Sequence, residues 1–521
     1  MQLRMWMYDL AREQAPSLDH LYQMAMLTMD SGYNALGLYL EHRYAYPSTP
    51  WSHGRACVTP EMIRRLRSEF PSLQIVPFIN LLGHFEGFLY TEPGKKYREE
   101  MFNGLQACPA ISEFVQLCGR LIDDTLEAFD SEIIHIGGDE TAQLGVNDLS
   151  KARIEKLVQD GGDPEADGKA LLYGSQFGPL AKKVQDAGRR PAVWGDMFLA
   201  HPSALEFMPK ETLVFDWQYF DGVAESVAKF TANGFEVVGC PTVQTYNSTW
   251  CHLLETEHNV RQVAADVQTL GLHGVCVTTW ECALFGAYDT LFPAIRACGK
   301  MLNTPVEGNK PSVKDSLIMD AYRSESAKHA EWAELIGVEL GNCGGTFTPG
   351  RIRSSLKVRL LLNANPFLAW MHHGEELSGE IGDAALDVCE RAMQAAPTEA
   401  EKGVTQFARS AIEFVRIAES ARKLYADGKA EAAISKLAVT RQLFDDLAKV
   451  ARRNHSRIGG SLADIERCRI AKEWVERVMA RIRQYGDGSL GYLPAFEILC
   501  HPKFVPHDQA SWWLINKWAN Q

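Results

Sequence analysis

The sequence predicts a (β/α)8 barrel followed by an all-α helical domain. The first observation is that eight short apolar runs, each followed by an amphipathic stretch, recur in the first 300 residues. Eight strand–helix units of this kind close naturally into a barrel. The second observation is that the pattern becomes nearly all helical after Lys300. We therefore assign residues 1–305 to the barrel and residues 306–521 to the helical domain.

The strand candidates are short apolar runs of the kind that buried parallel strands contain. The helices between them carry their own signals, such as Thr59 followed by Pro60, an N-cap residue before a proline at the first helical position. An open doubly wound sheet is the structural alternative, but no G-x-G-x-x-G follows the first strand to support it. The predicted strands are Leu3–Tyr8, Ala35–Leu40, Gln74–Asn80, Ile133–Ile136, Ala192–Trp194, Leu213–Trp217, Phe235–Gly239 and Gly274–Thr279.

The second half of the chain is rich in Ala, Glu, Lys, Arg and Leu, with apolar residues at helical spacing. We predict a loop over residues 341–350 and a core position for Trp512, Trp513 and Trp518. Three roles remain open for this domain: covering the flank of the barrel, supplying a residue to its site, or forming the interface of a homodimer. The predicted helices are 404–426, 429–452 and 463–485.

Bulk composition excludes some classes of partner. The 521 residues have a formal net charge of −13, which argues against a nucleic-acid partner because such a protein would need a basic face. No apolar run is long enough to cross a membrane, so we expect no membrane association. The 12 cysteines are scattered without C-x-x-C pairs, which favours reduced thiols. With no signal peptide visible at Met1, we expect a cytoplasmic protein without metal or cofactor.

Residues 131–140, Ser-Glu-Ile-Ile-His-Ile-Gly-Gly-Asp-Glu, carry the strongest chemical signal. An apolar run ends in two glycines, which allow a tight bend or a close approach, and then in Asp139 and Glu140. Two neighbouring carboxylates repel each other when both are charged, so one is expected to keep its proton near neutral pH and to act as an acid. The plainer interpretation is a strand end followed by a helix start, where acidic residues suit the dipole.

In a (β/α)8 barrel the working residues lie at the C-terminal ends of the strands. At these positions the chain collects carboxylates, an arginine, histidines, tyrosines and several tryptophans. Such a mouth suits a pyranose, because its C–H faces stack on aromatic rings and its hydroxyls bond to carboxylates and guanidinium groups. The residues are Asp9, Arg12, Glu41, His42, Asn80, His84, Asp139, Glu140, Trp194, Asp196, Trp217, Tyr219, Tyr246, Asn247, Trp250, Trp280 and Glu281.

Over about residues 1–300 the chain resembles glycoside hydrolase family 20, the β-N-acetylhexosaminidases. The string from His135 to Glu140 fits the family's strand-four signature. We expect a member without the family's usual N-terminal domain ahead of the barrel, because the helical C-terminal domain resembles a subgroup of single-barrel members. The supporting motifs, which follow in the family's order, are Asp9-Leu10-Ala11-Arg12, Gly83-His84, Trp194-Gly195-Asp196, Tyr246 and Trp280.

The resemblance implies an exo-acting enzyme that releases terminal β-linked GlcNAc or GalNAc from glycans, with retention and with assistance from the substrate. The 2-acetamido oxygen would attack the anomeric carbon and form an oxazolinium ion. Glu140 would be the acid and then the base, Asp139 would orient the acetamido N–H, and Tyr246 would donate to the acetamido oxygen. The implied substrate-binding residues are Arg12 at O3 and O4, Glu41, His84 beside the catalytic pair, Glu281, and the sugar walls Trp194, Trp217 and Trp280.

Three positions depart from the family pattern. Ser248 stands where an acidic residue often follows the tyrosine, and Glu281 comes one position earlier than the usual strand-eight acid. Glu41 stands where the family commonly has aspartate. The first two positions contact the acetamido network or the O4 and O6 hydroxyls, so the preference between gluco and galacto sugars stays open.

Two other functions compete with this one. The first is an inactive barrel that binds N-acetylated glycans, against which the intact Asp139, Glu140 and Tyr246 argue. The second is a metal-dependent hydrolase that uses His135, Asp139 and Glu140. Strand alternation would place His135 and Asp139 on one face but would turn Glu140 elsewhere.

Overall fold

Eight parallel strands close into a barrel in the computed structural model, as the sequence predicts. The structure describes residues 1–11, 16–53, 57–101, 103–161, 167–245, 250–280, 288–304, 310–343, 365–458 and 463–485. The barrel closes because the last of its strands pairs with the first, in a register that sets Met5 opposite Cys276. A helical region follows in the C-terminal half of the chain.

Each predicted barrel strand is present within two residues of its predicted bounds. The order around the barrel is β1-β2-β3-β6-β7-β8-β9-β11, and three further short strands lie outside it or at its edge. The strands are β1 Leu3–Asp9, β2 Ala35–Tyr39, β3 Gln74–Phe78, β4 Arg98–Glu100, β5 Asn103–Ala107, β6 Ile133–His135, β7 Arg190–Trp194, β8 Leu213–Trp217, β9 Glu236–Cys240, β10 Thr242–Val243 and β11 Gly274–Thr279.

The helices of the barrel part begin where the sequence places caps. Thr59 accepts a hydrogen bond from the Met62 N–H, with Pro60 at the first helical position, as predicted. Short 3-10 turns lie at Glu41–Arg43, Lys95–Tyr97, Pro202–Phe207 and Tyr288–Leu291. The α-helices are α1 Leu18–Asp30, α2 Pro60–Glu69, α3 Glu86–Leu89, α4 Ser112–Ala128, α5 Asp148–Gln159, α6 Gly168–Asp186, α7 Asp196–Ala200, α8 Ala224–Thr231, α9 Leu253–Thr269 and α10 Phe292–Asn303.

The C-terminal half is helical throughout its described ranges, with one π-helical turn at Leu335–Glu339. The predicted single helix over residues 429–452 is wrong, because the chain breaks at Val439 and the Thr440 hydroxyl bonds the Leu437 carbonyl. The helices are α11 Leu317–Glu325, α12 Ala327–Glu334, α13 Leu340–Cys343, α14 Phe367–Leu377, α15 Glu380–Ala395, α16 Glu399–Ala426, α17 Ala430–Ala438, α18 Thr440–Ile458 and α19 Ala463–Tyr485.

Two predictions for this half fall wholly or partly on residues outside the described ranges. Gly341 to Cys343, the start of the predicted loop over 341–350, belong to a helix, and the rest of that loop is not described. Trp512, Trp513 and Trp518 also lie outside. No helix in the described part is both long enough and apolar enough to span a membrane. Of the ten cysteines described, eight are buried and none forms a disulfide.

The chain forms two compact units. The first comprises Met1–Thr242, Thr256–Thr279 and Ile295–Lys310, and the second comprises Val243–Glu255, Trp280–Ala294 and Pro311–Gln521. The domain boundary between residues 305 and 306 stays a prediction.

Aromatic rings fill the middle of the barrel. His135 on β6 lies 4.4 Å from the ring of Phe78 on β3, 4.5 Å from Trp194 on β7 and 4.9 Å from Phe215 on β8. Phe78 and Phe215 belong to strands that are not neighbours, yet their rings are 5.6 Å apart, so they meet across the interior. The barrel therefore has a solid core beneath the ends of its strands.

Candidate active site

The turn after β6 carries the two adjacent carboxyl groups, and its shape requires glycine twice. Gly137 and Gly138 have φ angles of 78° and 105°, which side-chain-bearing residues rarely adopt. A Cβ on Gly137 would lie 2.5 Å from Oδ1 of Asn80, and one on Gly138 would collide with the Tyr173 hydroxyl. Tyr173 uses that hydroxyl to donate a 2.7 Å hydrogen bond to the Gly138 carbonyl. The two glycines thus let the chain bend tightly against β3 and α6.

Three residues without glycine's freedom also have positive φ in the described part of the chain. They are Glu41 at 40°, His84 at 49° and Glu140 at 46°. A left-handed conformation costs a side-chain-bearing residue about 1–2 kcal/mol, and such strain concentrates at functional sites. All three were candidate site residues in the sequence, and each follows a different barrel strand. The backbone strain therefore marks the ends of β2, β3 and β6 as the working region.

His84 joins the end of β3 to the carboxyl pair after β6. Its Nε2 atom lies 3.3 Å from Oδ2 of Asp139 and 3.1 Å from Oε2 of Glu140. The side chains of His84 and Asp139 are 5% and 9% exposed, whereas that of Glu140 is 46% exposed. A single N–H on Nε2 can donate to both carboxylates. The arrangement leaves Glu140 facing outward while Asp139 stays buried.

Asp139 keeps one acceptor atom open. Its Oδ2 atom faces His84, but its buried Oδ1 atom has no hydrogen-bond partner among the residues that the structure describes. A buried carboxylate oxygen without a donor is costly, so such an atom usually awaits a ligand or a water. Asp139 can therefore accept a hydrogen bond from a substrate N–H.

A third carboxyl group, that of Asp196, lies behind the pair. Its Oδ2 accepts a 2.9 Å hydrogen bond from the backbone N–H of Glu140, and its Oδ1 accepts one of 3.4 Å from the indole of Trp217. Burial raises the pKa of Asp196 to about 7, and so do the nearby charges of Asp139 and Glu140. The site thus contains three carboxyl groups that compete for protons.

Two more carboxylates approach His84 from its other side. The Nδ1 atom of His84 lies 4.0 Å from Oε1 of Glu86, and one oxygen of Glu41 lies within 4.8 Å of the same group. In the described part of the chain this is the one group of such residues that is compact enough for a metal ion. The Nε2 atom of His84 faces the catalytic pair, whereas its Nδ1 atom faces Glu86. The imidazole therefore lies between two groups of carboxylates.

The hairpin of β4 and β5 holds both halves of the site. On one side, the Phe85 N–H donates to the Leu105 carbonyl at 3.1 Å, beside His84. On the other side, the Gln143 N–H donates to Oε1 of Gln106 at 3.0 Å, three residues after Glu140. The buried carboxylate of Glu99 also accepts the Asn147 N–H at 3.0 Å. The hairpin therefore fixes the distance between the histidine and the carboxyl pair.

The predicted aromatic walls have different positions. Trp217 is partly exposed, stacks on Tyr219 at 5.1 Å and donates its indole N–H to Asp196. Trp194 is fully buried in the aromatic core around His135. Trp280 is partly exposed, and its carbonyl accepts a 2.6 Å hydrogen bond from the Thr245 hydroxyl. Their roles as sugar walls stay predictions.

Several predicted site residues lie outside the described ranges. Arg12 falls in the gap after residue 11, and Tyr246 and Ser248 fall in the gap after residue 245. Glu281 falls in the gap after residue 280. Their places in the sugar-binding network therefore stay predictions from the sequence.

A metal centre built on His135 does not fit its surroundings. The Nδ1 atom of His135 accepts a 3.1 Å hydrogen bond from the Gly137 N–H, and the ring is enclosed by Phe78, Trp194 and Phe215. Burial lowers the pKa of His135 well below its usual value. The ring is thus a neutral core group under the site, which disfavours the metal-dependent alternative with this ligand.

A closed (β/α)8 barrel with two carboxyl groups at a strand end has the features of a glycoside hydrolase. Residues 86–271 match the sequence model described as "Glycosyl hydrolase family 20, catalytic domain". The match covers a little over a third of the chain, and by class the protein is a glycoside hydrolase. The matched range includes the carboxyl pair and Asp196, and it begins two residues after His84. No curated protein matches the chain in sequence.

Solved structures of similar fold come from several bacteria. The β-N-acetylhexosaminidase of Bacteroides fragilis NCTC 9343 has 16% identity and a TM-score of 0.46, with 60% of this chain and 68% of that chain covered. The exo β-N-acetylglucosaminidase of Vibrio harveyi has 17% identity and a TM-score of 0.49, with 62% and 57% covered. The chitobiase of Flavobacterium johnsoniae has 13% identity and a TM-score of 0.50, with 91% and 78% covered. At such identity the Flavobacterium structure supports the fold alone. The chain spans little more than half of the Vibrio enzyme.

The sequence analysis places Asp196 at a strand end without assigning it a catalytic or binding role, and it misses Glu86. Asp196 is 56 residues from Glu140, so no local pattern predicts their contact. Its signal is its position directly after β7, at the same end of the barrel as Glu140. Glu86 follows His84 by two residues, and its approach to the ring depends on the turn into α3.

Proposed function

We propose that this glycoside hydrolase is an exo-acting β-N-acetylhexosaminidase that retains configuration and uses its substrate's acetamido group as the nucleophile. Its substrate is a glycan that ends in β-linked GlcNAc or GalNAc. The observation that carries the proposal is the contact of His84 with both Asp139 and Glu140 at the end of β6. The family's catalytic-domain match covers the carboxyl pair.

In the first step the acetamido oxygen forms a bond to C1 while the bond from C1 to the leaving oxygen breaks. The electron pair leaves with that oxygen, which takes a proton from Glu140. The 46% exposure of the Glu140 side chain supports this role, because the acid must reach a glycosidic oxygen that comes from outside. The products of the step are the free aglycone and an oxazolinium ion.

Asp139 stabilises this step through its open oxygen. The acetamido N–H becomes positive as the oxazolinium ion forms, and a buried carboxylate that accepts its hydrogen bond stabilises that charge. The free Oδ1 of Asp139 supports the assignment, since His84 occupies the other oxygen. The same hydrogen bond aims the acetamido oxygen at C1.

In the second step a water attacks C1 from the face that the aglycone has left. Glu140, now ionised, takes the water's proton, and the ring of the oxazolinium ion opens to restore the acetamido group. Each of the two steps inverts the configuration at C1, so the released sugar has the same configuration as the substrate. His84 contacts Glu140 in this structure, and we assign it to hold that carboxyl group in place through both steps.

The remaining binding roles rest on the resemblance. We propose that Arg12 binds O3 and O4, which makes the enzyme exo-acting, and that Tyr246 donates to the acetamido oxygen. Glu41 and Glu281 complete the hydroxyl contacts. Trp194, Trp217 and Trp280 enclose the sugar and the acetamido methyl group.

Release of 4-nitrophenol from its β-GlcNAc, β-GalNAc and β-glucose derivatives tests the proposal. We expect cleavage of the N-acetyl sugars but not of the glucoside, because glucose has no acetamido nucleophile. A thiazoline analogue of the oxazolinium ion should inhibit competitively. Cleavage of the glucoside at a comparable rate would contradict substrate assistance.

Two further outcomes separate the competing functions. Binding of the thiazoline without any cleavage would favour a glycan-binding barrel over an enzyme for these substrates. Loss of activity on treatment with EDTA, with recovery on adding a divalent metal, would favour a metal-dependent hydrolase. We expect EDTA to leave the rate unchanged.

Three statements about the organisation of the protein remain predictions. These are the domain boundary after residue 305, a homodimer and a cytoplasmic location. Light scattering of the purified chain at micromolar concentration would test the homodimer.

A further inference from the structure

Asp196 makes two contacts that no helix-capping role explains. It is the first residue of the five-residue helix α7, where an acidic side chain commonly bonds the backbone of its own helix. Here both carboxylate oxygens are used elsewhere: Oδ2 accepts the Glu140 N–H, and Oδ1 accepts the Trp217 indole N–H. The side chain thus connects the end of β7 to the catalytic turn and to the end of β8.

The contact with Glu140 reaches the most strained point of that turn. Glu140 has a φ of 46°, and its backbone N–H is fixed by the 2.9 Å bond to Asp196. A hydrogen bond to an ionised acceptor is stronger than one between neutral groups. Without this acceptor, no bond from Asp196 would stabilise the left-handed backbone conformation of Glu140. The carboxyl group of Glu140 would then be displaced from the position in which it protonates the leaving oxygen.

We infer that Asp196 is a positioning residue that holds the backbone of Glu140 and the ring of Trp217. This inference deepens the proposed function and rests on it. Asp196 itself touches no reacting atom in that scheme. It acts through the acid and through one wall of the sugar site.

The contacts of Asp196 also set the pKa of its own carboxyl group. Burial raises its pKa to about 7, followed by the charge of Asp139 and then that of Glu140, while the Glu140 N–H and the Trp217 indole act in the opposite direction. The charged groups that face this cluster are Asp139 and Glu140 after β6 and His84 after β3. The buried hydroxyl of Tyr173 lies on its α6 side.

The central test is Asp196→Asn, measured on 4-nitrophenyl β-GlcNAc from pH 4 to pH 9. Asparagine keeps the shape but can accept only one of the two N–H groups, and it carries no charge. We expect kcat to fall about tenfold to hundredfold, because a small misplacement of a catalytic group costs that much. We expect KM to change much less than kcat, because Asp196 touches no part of the substrate in the proposed scheme.

Asp216→Asn is the matched control. Asp216 is also a buried aspartate whose pKa is raised, to about 6, mainly by burial, and it lies on the neighbouring strand β8. Its oxygens accept hydrogen bonds from Ser226 and Gln218 rather than from the catalytic turn. This variant should keep the wild-type kcat.

Trp217→Phe separates the two contacts of Asp196. It removes the indole donor and leaves the Glu140 N–H bond in place. Because Trp217 is a predicted sugar wall, KM should rise, while kcat should fall much less than in Asp196→Asn. An equal fall of kcat in the two variants would overturn the role of the bond between Asp196 and the Glu140 backbone.

The pH dependence of stability gives a readout that is independent of activity. Aspartate ionises near pH 4 in an unfolded chain, but Asp196 ionises near 7 in the fold, so the folded state binds the proton more tightly. Wild type therefore loses stability as the pH rises from about 4 to 7, and Asp196→Asn does not share that loss. The Tm of the variant relative to wild type should rise between pH 5 and pH 8.

The failure of this inference can be distinguished from failure of the proposed function. If wild type cleaves no N-acetylhexosaminide, the proposed function fails. If wild type is active and Asp196→Asn has the same kcat, the inference fails while the proposed function stands. Equal loss of kcat in Asp196→Asn and Asp216→Asn would also overturn it and leave a purely structural role.

Discussion

The two ends of the barrel use the same residue types for opposite purposes. At the N-terminal end, charges are paired: Asp130 contacts Arg67 at 3.0 Å and Arg189 at 2.6 Å. At the C-terminal end, Asp196 lies beside Asp139 and Glu140, with its pKa raised to about 7 mainly by burial. The hydrogen bond from Arg189, together with the charge of Arg67, lowers the pKa of Asp130.

This difference shows how one fold separates stability from chemistry. Paired surface charges add a little stability and have little reason to hold protons near neutral pH. Crowded carboxyl groups destabilise the fold, but they keep protons available in the range where an acid must work. Backbone strain follows the same division, since the positive φ angles of Glu41, His84 and Glu140 all lie at the C-terminal end. Four substitutions test this difference between the two ends of the barrel.

Glu140→Gln should have the largest effect. Without a transferable proton, turnover of substrates with poor leaving groups should fall by about 10³-fold or more. Substrates with very acidic leaving groups need less protonation and should lose much less. The measurement is kcat for a chitobiose-type substrate and for a 2,4-dinitrophenyl glycoside, with unchanged circular dichroism as the control. Equal losses on both substrates would contradict the acid role.

His84→Asn should reduce kcat by about tenfold to hundredfold. The change removes the N–H that contacts Asp139 and Glu140, and asparagine tolerates the left-handed backbone of position 84. Steady-state kinetics on 4-nitrophenyl β-GlcNAc would measure the loss. A variant with wild-type kcat would show that this histidine only fills space.

Gly83→Ala tests how closely the two halves of the site are held. A Cβ at this position would lie 2.5 Å from the Asp139 carbonyl, so the catalytic turn must shift. We expect kcat to fall about tenfold. Gly119→Ala in α4 is the control, because its Cβ would have only ordinary contacts and alanine favours a helix. If both variants had the same kcat, the close approach at Gly83 would not matter for function.

Arg189→Gln at the opposite end should leave kcat unchanged and cost less than about 1 kcal/mol of stability at pH 7. The pair with Asp130 is partly exposed, so solvent screens it. Because its pKa is lowered in the fold, Asp130 contributes stability above the unfolded value near 4, and this contribution disappears as the pH falls through the folded value. The difference in urea unfolding between variant and wild type should therefore shrink below pH 4. A rate effect would break the contrast between the two ends.

The regular part of the barrel could be predicted from the sequence. Buried parallel strands are continuous apolar runs, so Leu213–Trp217 and Gly274–Thr279 were predicted with their observed bounds. The segment from His135 to Glu140 also predicted a tight turn, because two successive glycines after an apolar run favour a sharp bend of the backbone. The local sequence was sufficient to predict strands and turns whose structure depends on neighbouring residues in the chain.

Other parts depend on distant contacts and could not be predicted. The β4–β5 hairpin has the strand sequences Arg-Glu-Glu and Asn-Gly-Leu-Gln-Ala, which show no apolar alternation, and its stability comes from bonds to loops such as the one at Gln143. The contact of Asp196 with Glu140 joins residues 56 positions apart. The break at Val439 interrupts an apolar pattern that is continuous in the sequence, and it is marked by bonds such as that from the Thr440 hydroxyl to the Leu437 carbonyl.

The affinity of the thiazoline analogue for wild type and for Asp139→Asn tests the central claim most directly. The analogue resembles the oxazolinium ion, and the open Oδ1 of Asp139 is the acceptor that we assign to its ring nitrogen. Calorimetry at neutral pH should show tight binding to wild type and at least hundredfold weaker binding to the variant. Equal affinity for the two proteins, with both folded, would mean that the carboxyl pair at the end of β6 is not where an acetamido group reacts.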